Sequence, residues 1–239
     1  MMSCDLREVL RGFRPVMVPG APVRWSPAFD RCDGAGARVA LLDGGACLAH
    51  PDLAGASIVS VDLAGGPVDA HADRWHATRD LALLVGQGRA QFRGLLPAAT
   101  LLHARVLTRD GGEPRVLAGA IAWARREGAG VVVMPLGMDI DDPAIAAAIA
   151  GGAAEGVCFV AAAGNGHPRP IDFPARHPDV LAVGGADARG VLLPSCCRVP
   201  RLDRVAPGCD IPGPGAPGGG SSIACVLAGG IEALLRISV

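Results

Sequence analysis

Four side chains in this chain of 239 residues have the types and local settings that acyl transfer through a serine needs. They are Asp43 in Val-Ala-Leu-Leu-Asp-Gly-Gly, His76 in Trp-His-Ala-Thr-Arg, Asn165 in Ala-Ala-Ala-Gly-Asn-Gly and Ser222 in Gly-Gly-Ser-Ser-Ile-Ala. A serine hydroxyl is a poor nucleophile until a base takes its proton. A carboxylate must orient that base, and an amide donor must meet the oxyanion that develops. Taken singly, Asp43 reads as a cap, His76 as a surface histidine and Asn165 as a turn residue. Together they recur where a glycine-flanked turn or a helix start projects a side chain from the carboxyl end of a strand, the edge at which open α/β sheets bind ligands.

The elements that must position them follow from the hydrophobic pattern. Residues 38–42 read as a buried strand ending in Asp-Gly-Gly, with Asp43 at its tip. After a turn at His50 to Leu53 and a strand at 57–62, a loop of Gly, Pro and Asp leads to a helix over about 76–84, with His76 on its first turn. Residues 101–107 alternate as a strand, 116–127 form an amphipathic helix closed by Gly128, and 131–134 are a β-branched strand. Asp142 and Pro143 open an alanine-rich helix, 157–163 and 180–184 are strands, and a last helix begins near Ser222. Strands alternating with helices imply an α/β fold, a mostly parallel sheet with helices on both faces. An N-terminal leader, 1–36, precedes one expected domain, 37–239.

Half of the chain is hydrophobic, enough for a full core at this length. Net charge is −1 and all 22 basic residues are arginine, clustered only at Arg198, Arg201 and Arg204, so nucleic acid is not an expected partner. No apolar run reaches membrane-spanning length and the N-terminus has no apolar signal region. The eight cysteines contain no Cys-x-x-Cys pair and read as reduced packing residues, adjacent Cys196 and Cys197 included. A cytoplasmic protein is expected. His71 and His76 are five apart, off a shared helical face, and the chain has no lysine for a phosphate loop, so neither metal nor cofactor is expected.

Several motifs in order resemble the subtilisin-like serine peptidases, the subtilases, over roughly 38–235. They are Val-Ala-Leu-Leu-Asp-Gly with His-Pro-Asp-Leu, His-Ala-Thr-Arg, Val-Ala-Ala-Ala-Gly-Asn, Phe-Pro-Ala-Arg-His-Pro-Asp-Val-Leu-Ala-Val-Gly, Val-Ala-Pro-Gly at 205–208 and Gly-Ser-Ser-Ile-Ala. Within the family the chain is similar to the subtilase domains of cyanobactin-type peptide maturation. The resemblance implies Ser222 as nucleophile, His76 as base, Asp43 as the orienting carboxylate and Asn165 as oxyanion donor beside the Ser222 amide. Ungapped matching favours Ser222 over Ser221, which would otherwise be an N-cap. It also implies that an extended peptide pairs with Pro135, Leu136 and Gly137 and with the segment ending Ala162, Ala163 and Gly164, and that Phe173–Pro174 is a cis candidate. Only some forty residues precede Asp43, so an enzyme without a folding prodomain is expected.

Four residues depart from the family pattern: Ala77, Arg79, Pro135 and Val226. Arg79 places a charge one helical turn from His76, where an unpaired cation would lower the base's pKa unless Asp80 or Asp73 neutralises it. Pro135 removes one amide from the substrate-binding strand. The sequence thus leads to a serine endopeptidase acting on a peptide or precursor peptide, in peptide natural-product maturation with biosynthetic partner proteins. The alternative is a catalytically silent subtilase that binds peptide or serves as a scaffold. A lipase-type hydrolase fits less well, because no Gly-x-Ser-x-Gly elbow surrounds Ser222.

Overall fold

The computed structural model describes residues 4–15, 18–66, 72–90, 92–211, 213–214 and 219–238. His71 and positions 215–218 of the Gly/Pro run lie outside the described residues, as does the side chain of Asp73. Eight strands form one sheet in the order Ala21–Pro22, Arg204–Pro207, Val180–Ala186, Cys158–Ala162, Val131–Met134, Arg38–Asp43, Thr100–Arg105, Ser57–Asp62. Every pairing among them is parallel.

Successive residues of a strand point to opposite faces, and both faces here are covered. Val39, Leu41, Val131 and Val133 face a core built with the helices Ala72–Val85 and Ser221–Ile237. Ala40, Leu42, Val132 and Met134 face a second core under Pro114–Arg126 and Pro143–Ala154. Asp142 caps the last of these by accepting from the amides of Ala144 and Ile145, as its position before Pro143 predicts. From the central strand Arg38–Asp43 the chain first builds outward on one side, then crosses to Val131–Met134 on the other. The resulting switch point lies beside Asp43, where parallel sheets open a crevice at their carboxyl edge.

The expected elements are present with ends shifted by two residues or fewer, with one exception that matters for the site. The helix carrying His76 starts at Ala72, not near His76, so the histidine sits on its second turn. Residues 72–75, Ala-Asp-Arg-Trp, contain no Gly or Pro to break a helix and form its first turn. The N-terminal segment packs into the same molecule: Leu6, Leu10, Val23, Trp25 and Phe29 are buried in the first core, and Ala21–Pro22 extends the sheet beside Arg204 and Val205.

The helix Ser221–Ile237 crosses the sheet closely because of glycine. A Cβ on Gly229 would overlap the Val133 side chain, and one on Gly230 would come within 2.7 Å of Leu95 Cδ1. Since Val133 is a fully buried β-branched residue, it has little room to yield. Gly229→Ala is therefore expected to destabilise the fold by about 1–3 kcal/mol through overpacking, seen as a lower denaturation midpoint at an unchanged slope.

Candidate active site

Asp43 ends the central strand and is 2% exposed, so its charge must be satisfied by protein groups. Its Oδ1 accepts from the Gly44 amide at 2.7 Å. His76 Nδ1 lies 2.9 Å from Asp43 Oδ2 and 3.1 Å from Oδ1. A carboxylate only accepts, so Nδ1 carries the proton and Nε2 is left as the proton acceptor of a neutral ring.

Further side chains fix this pair. His103 is buried and its Nε2 faces the Gly44 carbonyl at 3.0 Å. Burial pushes its pKa down, so the ring stays neutral. The carbonyl requires Nε2 to donate, which leaves Nδ1 to accept from the Ser60 hydroxyl at 2.9 Å. On the other side, Thr78 Oγ1 accepts from the Cys47 amide at 2.8 Å and donates to the Arg74 carbonyl, tying the loop after Asp43 to the His76 helix.

The third partner arrives on another helix. Gly220 precedes Ser221–Ile237 with φ of 137°, a conformation that favours glycine, and a Cβ there would stand 2.8 Å from Asn165 Nδ2. Asn165 Oδ1 accepts from the Ser221 amide at 2.9 Å. That donor fixes the amide's orientation and leaves Nδ2 as a free donor beside the start of the helix. Ser221 is buried and its Oγ accepts from the Gly164 amide at 3.1 Å, so it is committed to structure. Ser222, half-buried, donates its hydroxyl to the Pro135 carbonyl at 3.1 Å. The two serines thus differ in what their hydroxyls meet.

The two expected substrate segments differ in what they leave open. Leu136 and Gly137 have no main-chain hydrogen-bond partner among the described residues, whereas Met138 pairs with Phe173 in both directions. Ala163 and Gly164 are occupied: Ala163 pairs with Val183 and Asp172, and the Gly164 carbonyl accepts from Cys197. Ala162 is buried in its strand beside Val183. An apolar hollow lined by Val106, Leu107, Leu117, Leu136, Gly137 and Met138 opens beside the first segment. The Phe173–Pro174 bond is cis.

Two acidic residues lie near these groups: Asp172, which the sequence reading does not single out, and Asp80, which it expects only as a partner of Arg79. Asp172 stands between the segments: a Cβ on Gly137 would be 2.7 Å from its Cβ, and one on Gly164 would overlap its carboxylate. Burial pushes its pKa up, and the nearby Arg169 and Arg176 pair instead with Asp139 and Asp141. Asp80, one helical turn after His76, is fully buried. Its Oδ1 receives Arg79 Nε at 3.2 Å, and its Oδ2 lies 3.6 Å from His76 Nδ1. The i, i+4 spacing of His76 and Asp80 was the available signal.

Arg79 is therefore paired and buried rather than free in the cleft. Burial disfavours the His76 imidazolium, but the charge and hydrogen bond of Asp43, with Asp80 adding, outweigh it and raise the pKa to about 9, while Arg79 opposes. Ligand-type atoms of Asp43, His76 and Asp80 lie within 4.8 Å of one another, but Nδ1 is already engaged by Asp43 and Asp80 by Arg79, so the cluster reads as a carboxylate–imidazole network. The described cysteines are unpaired, and Cys158, Cys196, Cys197 and Cys225 are buried. Among the described residues, no helix is long and apolar enough to cross a membrane.

Residues 34–237 match the subtilase family. Thermitase from Thermoactinomyces vulgaris is 30% identical over 163 residues, which are 67% of this chain and 58% of thermitase. The curated relatives are longer, and the match with thermitase spans little more than half of it. Among solved structures, a serine-to-alanine mutant of the PatA protease domain superposes with a TM-score of 0.79 at 28% identity, covering 86% of this chain and 81% of that one. The prenylagaramide maturation protease PagA gives 0.73 at 26%, covering 83% and 74%.

Removing the Asp43 charge with Asp43→Asn is expected to lower the NMR titration midpoint of His76 by about 1–3 units. Because His76 is raised above its ordinary value of 6.5, the stability it supplies is complete below that pH and is lost as pH rises through about 9. Unfolding measurements across this range should show that loss in the parent protein and less of it in Asp43→Asn.

Proposed function

The chain belongs to the subtilase family, and from that premise we propose that it is a serine endopeptidase that cleaves an extended peptide through an acyl-enzyme on Ser222. The observation that carries the reading is the His76 Nδ1 contact to buried Asp43 at 2.9 Å, which leaves Nε2 as a base, while Ser222 stands in the first turn of a helix. The Ser222 hydroxyl turns from the Pro135 carbonyl to Nε2, gives up its proton and attacks the scissile carbonyl. Asn165 Nδ2 and the Ser222 amide, near the positive end of the helix, meet the oxyanion. His76 then gives the proton to the leaving amine, and the bond to it breaks. Water, deprotonated by the same imidazole, releases the acid; an amine in its place would give a transferred or cyclised peptide.

The open main-chain groups of Leu136 and Gly137 supply strand pairing, and Ala162, Ala163 and Gly164 act as a wall because their own groups are engaged. The hollow at Leu136 and Met138 suits an apolar substrate side chain. A side chain entering between Gly137 and Gly164 meets the Asp172 carboxylate, which favours a cationic residue there. Similarity to PatA and PagA supports a precursor peptide in natural-product maturation, with other biosynthetic proteins as partners. Unpaired thiols, including adjacent Cys196 and Cys197, support a cytoplasmic setting. Neutralisation of Arg79 by Asp80 supports the active over the silent reading.

A fluorophosphonate probe should modify Ser222, fail on Ser222→Ala and react far more slowly with His76→Ala. Well-folded protein that resists the probe from pH 6 to 10 would establish the silent, peptide-binding reading instead. Asn165→Ala is expected to lower kcat by about 10²–10³-fold. In a peptide library, cleavage at cationic residues should decline in Asp172→Asn while cleavage elsewhere persists.

A further inference from the structure

Asp80 is a buried acid for which neither the fold nor the proposed reaction supplies a reason. It lies on the core side of its helix among Leu81, Ala82, Leu83 and Leu84, all fully buried, where an apolar side chain would pack without electrostatic cost. One of its oxygens meets Arg79; the other, Oδ2, is buried with no hydrogen-bond partner among the described residues. That orphaned oxygen is aimed at His76 Nδ1 from 3.6 Å, too far for a good hydrogen bond and close enough for a strong charge interaction. Nδ1 is thus approached by carboxylates from two elements, Asp43 at the strand tip and Asp80 one turn along its own helix.

We propose that Asp80 is a positioning residue for the base: a second carboxylate that, with Asp43, grips the Nδ1 side of His76 and sets the pH window in which the imidazole can accept the serine proton. The consequence for activity rests on the serine peptidase reading above; the consequence for the imidazole does not.

The charged groups that act on His76 are Asp43 from the sheet and Asp80 and Arg79 from its own helix. The adjacent helix brings the Cys225 thiol into the field of both carboxylates, and burial pushes that thiol well up, so it stays neutral. Burial and the Asp43 charge push Asp80 up to about 6, against the pull of His76 and Arg79. Above that pH Asp80 is ionised and the imidazole holds its proton to about 9. A protonated ring cannot take the Ser222 proton, so acylation rises with pH into the alkaline range. Below about pH 6, Asp80 takes up a proton and the hold on the imidazolium falls to that of Asp43.

The test uses Asp80→Asn, which keeps the shape and removes the charge, and Arg79→Gln, which removes the opposing cation. His76 is titrated by NMR in each, and the rate of fluorophosphonate labelling is followed from pH 6 to 10. In Asp80→Asn the His76 midpoint and the acid limb of the labelling rate should fall together by about one unit or more, each unit being about tenfold in the neutral fraction at a fixed lower pH. In Arg79→Gln both should rise. A midpoint unmoved in Asp80→Asn, or moved the same way in both variants, overturns the proposal, since mere loss of packing has no sign. If Asp80→Asn does not fold, an Arg79→Gln midpoint that fails to rise overturns it alone. If the parent protein never labels while its His76 midpoint responds as stated, the peptidase reading fails and the Asp80 assignment stands.

Discussion

A buried carboxylate at the end of a central strand is the constraint around which this molecule is arranged. Asp43 retains almost no contact with water, and a charge so placed must be matched by donors. The Gly44 amide and the His76 ring provide them. Everything nearby holds those donors still: His103 and Ser60 fix the Gly44 carbonyl, and Thr78 ties the following loop to the helix. The base is thereby oriented before any substrate arrives, which is the form electrostatic catalysis takes in a preorganised site.

The second constraint is how closely a helix can approach a sheet. Gly229 and Gly230 let Ser221–Ile237 lie against Val133 and Leu95, and Gly220 lets its first turn sit against Asn165. Small residues along one face thus set the depth of the helix, and depth sets where Ser222 meets the carboxyl edge. Ser221 spends its amide on Asn165 and its hydroxyl on Gly164, joining the helix start, Asn165 and the strand end in one network. Stability and chemistry are coupled there because the same contacts serve both.

Arg79, a departure from the family pattern, acts as a pair with its neighbour Asp80. Arg79 alone would oppose protonation of the base, and Asp80 alone would leave a buried charge without a counter-ion. Their 3.2 Å contact relieves the second problem, and the negative partner faces the imidazole. The base works in a more negative field than one carboxylate creates.

Apart from Ala21–Pro22 and Arg204–Pro207, which lie in stretches with no strand pattern, the sequence by itself determined the parallel sheet and marked four candidate residues for the chemistry. These are legible because strand and helix periods are local, and because Asp43, Asn165 and Ser222 each follow a short apolar run or a glycine turn. Local pattern started the His76 helix four residues late, since Ala-Asp-Arg-Trp reads equally as loop or helix until tertiary packing decides. Only the tertiary structure settled which groups of Pro135, Leu136, Gly137, Ala162, Ala163 and Gly164 remain open, because the partners of the engaged ones, Ser222, Val183, Asp172, Ser221 and Cys197, come from other segments. It also decided the company of His76: Asp43 lies 33 residues away in sequence, and the tautomer of His103 is set by a carbonyl 59 residues distant. Charge and burial at the site are sums over such distant neighbours, which no local pattern encodes.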